Sequence, residues 1–298
     1  MEKTETKELI KFRTVDKSTV DKTLKYIFEL KDGLIMETTF IDNGSRKDII
    51  CVSCQTNCAM KCKFCHLTDL VGKIKLRNIT SEEILAGVKY VYEDLQLVAN
   101  NRPLLVSYMG AGEPILNADN CIESMIMIKE HIPNSRFGMA TMMPKNNVVD
   151  LFRMADLVRK NKIELKLHLS LHFTDDTLRK EWMPNALNIK ASINALEFYH
   201  LLTNNPVELH YTLIDGSNDS EEHINSLMEL VKDKNINVKF LHYKKREAIS
   251  NKATTYTKAE ELVQVLKNND LEAEFYDPPG ADVGSSCGQF LLKRYAKK

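Results

Sequence analysis

Residues 51–66 read CVSCQTNCAMKCKFCH, which puts five of the chain's seven cysteines within fifteen residues. Cys58, Cys62 and Cys65 are spaced C-x-x-x-C-x-x-C, and Cys51 stands seven residues upstream of the triplet. The leading stretch MEKTETKELIKFRTVDK is charged and lacks the apolar core of a secretory signal. No apolar run approaches the roughly 20 residues needed to span a bilayer. A cytoplasmic protein with no membrane association is expected. Thiols stay reduced there, so clustered cysteines point to metal or catalysis and not to disulfides.

Outward from this segment the chain alternates short apolar runs with longer amphipathic stretches. DIICVS at Asp48 reads as a first strand. SEEILAGVKYVYEDLQLV (81–98) reads as a helix capped by Thr80 or Ser81, with acids in its first turn. Strands follow at 103–109, 136–141, 164–172, 207–214, 237–243 and 272–276, with helical patterns between them. Six or more such alternations predict a parallel sheet covered by helices, curled into a full or partial barrel. Chemistry in such folds sits at the C-terminal ends of the strands. Ahead of the barrel, residues 1–22 read as a polar helical lead-in. KYIFEL and LIMETTF flank Asp32-Gly33 as a small β-hairpin. The expected division is 1–47 for lead-in and hairpin, and 48–298 for barrel and C-terminal extension.

The 298 residues are 43% hydrophobic, with Lys plus Arg and Asp plus Glu equal at 41 each. Global charge therefore selects no polyanionic partner, and any RNA surface must be a local patch. Candidate patches are Lys61 with Lys63, the 73–77 stretch, 244–246, Lys293-Arg294 and Lys297-Lys298.

Three thiolates on one loop suit three irons of a 4Fe–4S cluster and leave the fourth iron open to a small molecule. C-x₃-C-x₂-C with Phe64 before the last cysteine, directly after the first strand, is the radical-SAM signature. Such an open iron can chelate S-adenosylmethionine (SAM) and pass it an electron, giving a 5′-deoxyadenosyl radical. A zinc-stabilised nucleic-acid-binding module is the competing reading, with Cys54 or His66 as fourth ligand, but no second ligand pair is present. Gly112, Glu113 and Pro114 after the second strand resemble the superfamily's SAM-binding GGEP loop. Ser170 and His172 alternate along the fourth strand and are expected on one inward face, facing SAM.

CVSCQTNCAMKCKFC, YMGAGEPILN, LSLHFTDDTLRKEWMPN, LIDGSNDSEEH and SSCGQF together resemble one family, in order, from about Lys25 to Leu292. It is the radical-SAM RNA adenine methyltransferases, with C2-modifying and Cfr-type C8-modifying members. The resemblance implies a radical-SAM partial (β/α)6 barrel, an N-terminal β-hairpin extension and a C-terminal tail bearing a reactive cysteine. It implies a 4Fe–4S cluster on Cys58, Cys62 and Cys65, and SAM as second cofactor. Cys287 matches the cysteine that carries the methyl group, and Cys51 the one that resolves the protein–RNA crosslink. Adenine C2 and C8 are not nucleophilic, so a thioether-borne carbon radical replaces direct transfer. The implied partners are ribosomal or transfer RNA adenosine, or a smaller nucleotide, and a flavodoxin or ferredoxin as electron donor, with the enzyme a monomer. A radical-SAM enzyme acting on another heteroaromatic is the alternative within the superfamily.

The chain departs from the family's pattern at several loops. An N-terminal accessory domain is expected to be missing. Lys244 stands where an Asn contacts SAM, and the third SAM loop, with Thr141, reads ATMMPKN. YDPPGADVG replaces a basic segment before Cys287. The changes fall on binding loops while the five cysteines are kept, so the chemistry is expected to persist on a substrate that differs.

Overall fold

The computed structural model describes residues 9–44, 47–100 and 102–289. Among them ten strands form one sheet in chain order. β1 (Ile10–Lys17), β2 (Leu24–Leu30) and β3 (Ile35–Asp42) are antiparallel, and β3 pairs antiparallel with β4 (Asp48–Val52). From β4 every pairing is parallel, through β5 (Leu104–Tyr108), β6 (Ser135–Thr141), β7 (Leu165–Ser170), β8 (Val207–Leu213), β9 (Asn237–His242) and β10 (Ala273–Tyr276). The covering helices are α1 (Ser81–Asp94), α2 (Ala118–His131), α3 (Val148–Lys160), α4 (Asp176–Trp182), α5 (Ile189–Thr203), α6 (Glu221–Val231) and α7 (Tyr256–Lys267). This is the expected partial (β/α)6 barrel, with β10 as a seventh parallel strand. No helix among the described residues is long and apolar enough to cross a membrane.

The expected helical lead-in is corrected at Ile10–Lys17, which is a strand, while residues 1–8 lie outside the described residues. Side-chain packing decides it. Phe12 stacks on Tyr90 of α1 at 5.3 Å and meets Phe28 edge-on at 6.3 Å, contacts that an extended segment beside β2 provides. The extension is therefore three strands and not a hairpin, although the Asp32-Gly33 turn is present, with Gly33 at φ +79°. The basic runs at 293–294 and 297–298 lie outside the described residues.

Alternation along the strands sorts outer from inner residues. Ile50, Val106, Leu167, Leu209 and Phe240 are fully buried in the core beneath the helices. Cys51, Lys166, His168, Glu208, His210 and Lys239 occupy the alternate, lumen-facing positions. α1 begins with a complete capping box, in which Thr80 accepts from Glu83 N–H and Glu83 accepts from Thr80 N–H.

The segment after β10 packs against the extension. Asp282 accepts from Ser18 Oγ at 2.8 Å and from Thr19 N–H at 2.8 Å. Asp21 accepts from Gly280 N–H at 2.8 Å, and Ser285 meets Thr39 at 3.2 Å. Lys25 is buried, paired with Glu37 at 2.7 Å, and donates to the Gly284 carbonyl at 3.2 Å. YDPPGADVG thus closes the barrel seam and carries Cys287 toward the strand ends.

Candidate active site

A solvent-open cavity lies at the C-terminal ends of the barrel strands. Cys58, Cys62 and Cys65 all line it, as do Gly112, Glu113, Ser170, His172, Lys244 and Cys287. Elements far apart in sequence hold the cysteine loop. Thr68 Oγ donates to the Cys62 carbonyl at 2.7 Å, and Asn57 Nδ2 to that of Leu70 at 2.9 Å. Arg246, buried, donates to the Lys63 carbonyl at 2.6 Å and forks onto Asp69.

Burial and neighbouring thiols push Cys58 up to about 12 and Cys62 well above a free thiol, and burial pushes Cys65 up to about 11. Without metal these thiols hold their protons, so a cluster must displace them. Tetrahedral zinc at ~2.3 Å per sulfur requires thiols about 3.8 Å apart. Among the described residues, the set of three metal-capable side chains within 4.8 Å is His168, Glu208 and His210, so the three thiols stand wider than single-ion ligands. Cys54 turns away into the core, its Sγ 3.6 Å from the Ala111 carbonyl, and cannot complete a zinc site. The donor set fits a cluster better than one ion.

The Gly110–Gly112 loop runs close against the cysteine loop. A Cβ on Gly112, at φ +109°, would lie 2.7 Å from Cys54 Sγ and 2.8 Å from Gln55 N. This approach delivers Glu113, buried, whose carboxylate accepts from Ile115 N–H and Met142 N–H at 3.1 Å each. Burial outweighs these bonds and that from Thr141, and raises Glu113 to about 7. Thr141 and Pro114 are buried but do not line the cavity. Thr141 holds Glu113 and accepts from Met143 N–H at 2.9 Å.

β7 ends at Ser170, so Ser170 and His172 do not share a strand face. His172 instead adopts φ +59°, with its carbonyl held by Asn218 Nδ2 at 2.7 Å. Both still line the cavity. Thr212 N–H donates to His172 Nδ1 at 3.0 Å, which leaves the ring proton on Nε2. Burial, then the Arg179 charge, hold His172 well below its ordinary value and therefore neutral. Phe64 packs edge-on to it at 5.0 Å.

Cys51 is paired in the sheet with Thr39 on one side and Ser107 on the other. Burial and the neighbouring Cys287 raise it to about 12. Cys287 is exposed to the open cavity, yet the surrounding protein lifts its thiol to about 11, with Lys244 and Lys239 acting against the rise. The Gly288 carbonyl accepts from His66 N–H at 2.9 Å, which ties the tail to the cysteine loop. Lys244 pairs with Asp277, which also accepts from Tyr256 Oη and is lowered by these partners despite burial.

Sequence reasoning missed three sets of residues. Arg179, buried within LRKEWMPN, donates to the carbonyls of Ser170, Leu171, Met142 and Leu187, and burial lowers it to about 10. Arg246 was visible only as part of a basic run. The lumen set is the third. Glu208 binds Lys166 at 2.6 Å, Lys239 at 2.9 Å, His168 at 3.0 Å and His210 at 3.4 Å. The alternating polar residues of LKLHLSLH and VELHYTL were the available signal. Two ammonium groups already pair with the carboxylate, which disfavours a cation there.

The sequence profile of the Radical SAM superfamily matches residues 52–231. A protein of Clostridium botulinum strain Hall, named probable dual-specificity RNA methyltransferase RlmN, is 32% identical over 287 residues, covering 93% of this chain and 78% of that one. The protein of the same name from Clostridioides difficile strain 630 is 34% identical over 279 residues, with the same coverage of 93% and 78%. The crystal structure of a radical SAM methyltransferase from Sphaerobacter thermophilus superposes with a TM-score of 0.84 at 25% identity, covering 95% of this chain and 81% of that one.

Proposed function

Because the chain belongs to the radical SAM superfamily and, within it, to the family of the RlmN methyltransferases, we propose that it methylates RNA at an adenine ring carbon, C2 or C8. The protein is a radical SAM methyltransferase, with a 4Fe–4S cluster and SAM as cofactors. When bound, they supply a 5′-deoxyadenosyl radical. In this reading Cys58, Cys62 and Cys65 hold the cluster. Glu113, Ser170, His172 and Lys244 orient SAM, with neutral His172 donating from Nε2. Cys287 carries the methyl group as a thioether, and Cys51 resolves the bond between protein and product.

The observation that carries this reading is that Cys287 lines the same cavity as the triplet and lies close enough to Cys51, 236 residues away in sequence, to raise its thiol. A thioether carrier needs its partner thiol and the radical source within reach of one substrate atom. The reductant is a flavodoxin or ferredoxin, and the protein acts as a monomer.

Methyl-labelled SAM is incubated with total RNA, fractionated RNA and free nucleotides, and nucleosides are analysed by mass spectrometry. Label on adenosine in RNA is expected, with a methylated Cys287 peptide in the protein. Cys51→Ala is expected to accumulate a covalent protein–RNA adduct. An unmodified Cys287 in cluster-replete, active protein sinks the thioether mechanism, and label confined to free nucleotides sinks the RNA substrate.

A further inference from the structure

Lys63, Arg246 and Arg179 stand around the cysteine loop, and the first two have carboxylate partners. Lys63 pairs with Glu181 at 2.6 Å, and Arg246 forks onto Asp69. Arg179 on α4 differs. It is 1% exposed, and among the described residues it makes no ion pair. Its guanidinium donates to the carbonyls of Ser170 at 3.0 Å, Met142 at 3.0 Å, Leu187 at 3.2 Å and Leu171, and meets Met183 Sδ at 3.5 Å. Asp176, one turn earlier on α4, acts on it only at a distance, its carboxylate accepting from Ile189 N–H at 2.8 Å. A charge buried among neutral dipoles is costly, because carbonyls replace only part of its hydration. Burial lowers Arg179 to about 10, with Cys62 acting the other way, so it remains a cation at neutral pH.

Two methionines stand between this charge and the cysteine triplet. Arg179 Nη2 is bonded to the Met142 carbonyl, and Met142 Sδ lies 3.7 Å from Cys62 Sγ. Arg179 Nη1 touches Met183, which belongs to one apolar cluster with Met60, Met142 and Trp182, against which Cys58 and Cys62 pack. Met142, Met183 and Cys62 line the cavity, whereas Arg179 does not. The guanidinium therefore acts from behind the cavity wall, through apolar side chains that screen its field poorly.

We propose that Arg179 is the buried counter-charge of the 4Fe–4S cluster, set one methionine away from Cys62 so that it favours the reduced cluster over the oxidised one. The inference rests on the cluster assignment above. Three thiolates leave the oxidised cluster with one net negative charge, and one electron from the donor adds a second. A fixed cation attracts the doubly charged state more strongly than the singly charged one, so it raises the reduction potential. Arg179 touches no reacting atom and is a positioning residue. A purely mechanical role is the competing account, since the same guanidinium ties the ends of β6 and β7 to the loop after α4.

Two variants separate charge from mechanics. Arg179→Gln removes the charge and keeps a donor, and Arg179→Lys keeps the charge and loses the fork. The whole protein is loaded with iron and sulfide, freed of SAM and titrated anaerobically with dithionite, the reduced cluster being read by electron paramagnetic resonance. At a fixed potential the ratio of reduced to oxidised cluster in Arg179→Gln should fall about tenfold, a shift of about 59 mV to lower potential. Arg179→Lys should stay within about twofold of wild type, because the charge stays in place. If Arg179→Gln cannot hold iron, an Arg179→Lys protein that does, at the wild-type potential, carries the same conclusion. An unchanged ratio in Arg179→Gln overturns the proposal, as does an Arg179→Lys protein that shifts as far or loses its iron. Wild-type protein without iron and labile sulfide fails the cluster assignment itself, and the proposal with it.

Discussion

Glu113 shows how one residue's environment sets a measurable dependence on pH. Its folded value, raised by burial from 4.5 to about 7, means that protonated Glu113 favours the fold and ionised Glu113 opposes it. That contribution is complete below pH 4.5 and is lost as pH rises through 7, by about 3 kcal/mol for a shift of ~2.5 units. His168 and His172 act oppositely, since their folded values are depressed and they lose stability as pH falls below 6.5. The difference between wild type and Glu113→Gln isolates the carboxyl. Urea unfolding of cofactor-free protein should show wild type losing stability relative to the variant between pH 4.5 and 7, and a flat difference would refute the assignment. The sequence displayed Glu113 through its Gly-Glu-Pro context. It hid the bond between Thr141 and Glu113, because a threonine at a strand end looks the same whether or not it holds a neighbour.

At the scale of elements, the loops at the strand ends are fixed by backbone approach and by two buried arginines. Gly112→Ala forces a Cβ against Gln55 N at 2.8 Å in a backbone conformation that L side chains rarely adopt. A loss of about 2 kcal/mol or more in denaturant unfolding is expected, with poor iron retention after reconstitution. Arg246→Ala removes the bonds to Asp69 and the Lys63 carbonyl while leaving the barrel strands intact. Iron per chain should fall faster under chelator than in wild type, with little change in secondary structure by circular dichroism. The strands and most helices were legible because period-2 and period-3.6 patterns are local. Ile10–Lys17 was not, because Phe12 chooses extended structure by packing on Tyr90, nearly eighty residues away. Arg246 was likewise illegible as a clamp, since a basic run looks the same on a solvated face.

For the molecule as a whole, the seam between the extension and the tail depends on a buried ion pair. Lys25→Met would leave Glu37, whose carboxyl burial already raises, without its ammonium partner in the core, at a cost of about 3–5 kcal/mol. The double variant Lys25→Met, Glu37→Leu should recover most of that loss in the same urea titration. A single variant as stable as wild type would show that the pair does not hold the seam. The roles proposed for Cys51, Cys58, Cys62, Cys65 and Cys287 come from the sequence by resemblance. What brings Cys287 to them was not visible, because Asp21, Lys25 and Thr39 reveal nothing of a partner some 250 residues downstream.

That seam also bears on the order of events in folding and in turnover. The contacts that seat Cys287 join Ser18 to Asp282 and Lys25 to Gly284, and closing so long a loop is costly, so they are expected to form late. Interactions that close last and rest on a few bonds are the first to open. Backbone amides of 278–288 should therefore exchange with deuterium well before those of β5–β8. The cysteine triplet is thus held by loops on the barrel strands, while Cys287 is carried on a segment expected to open before those strands do.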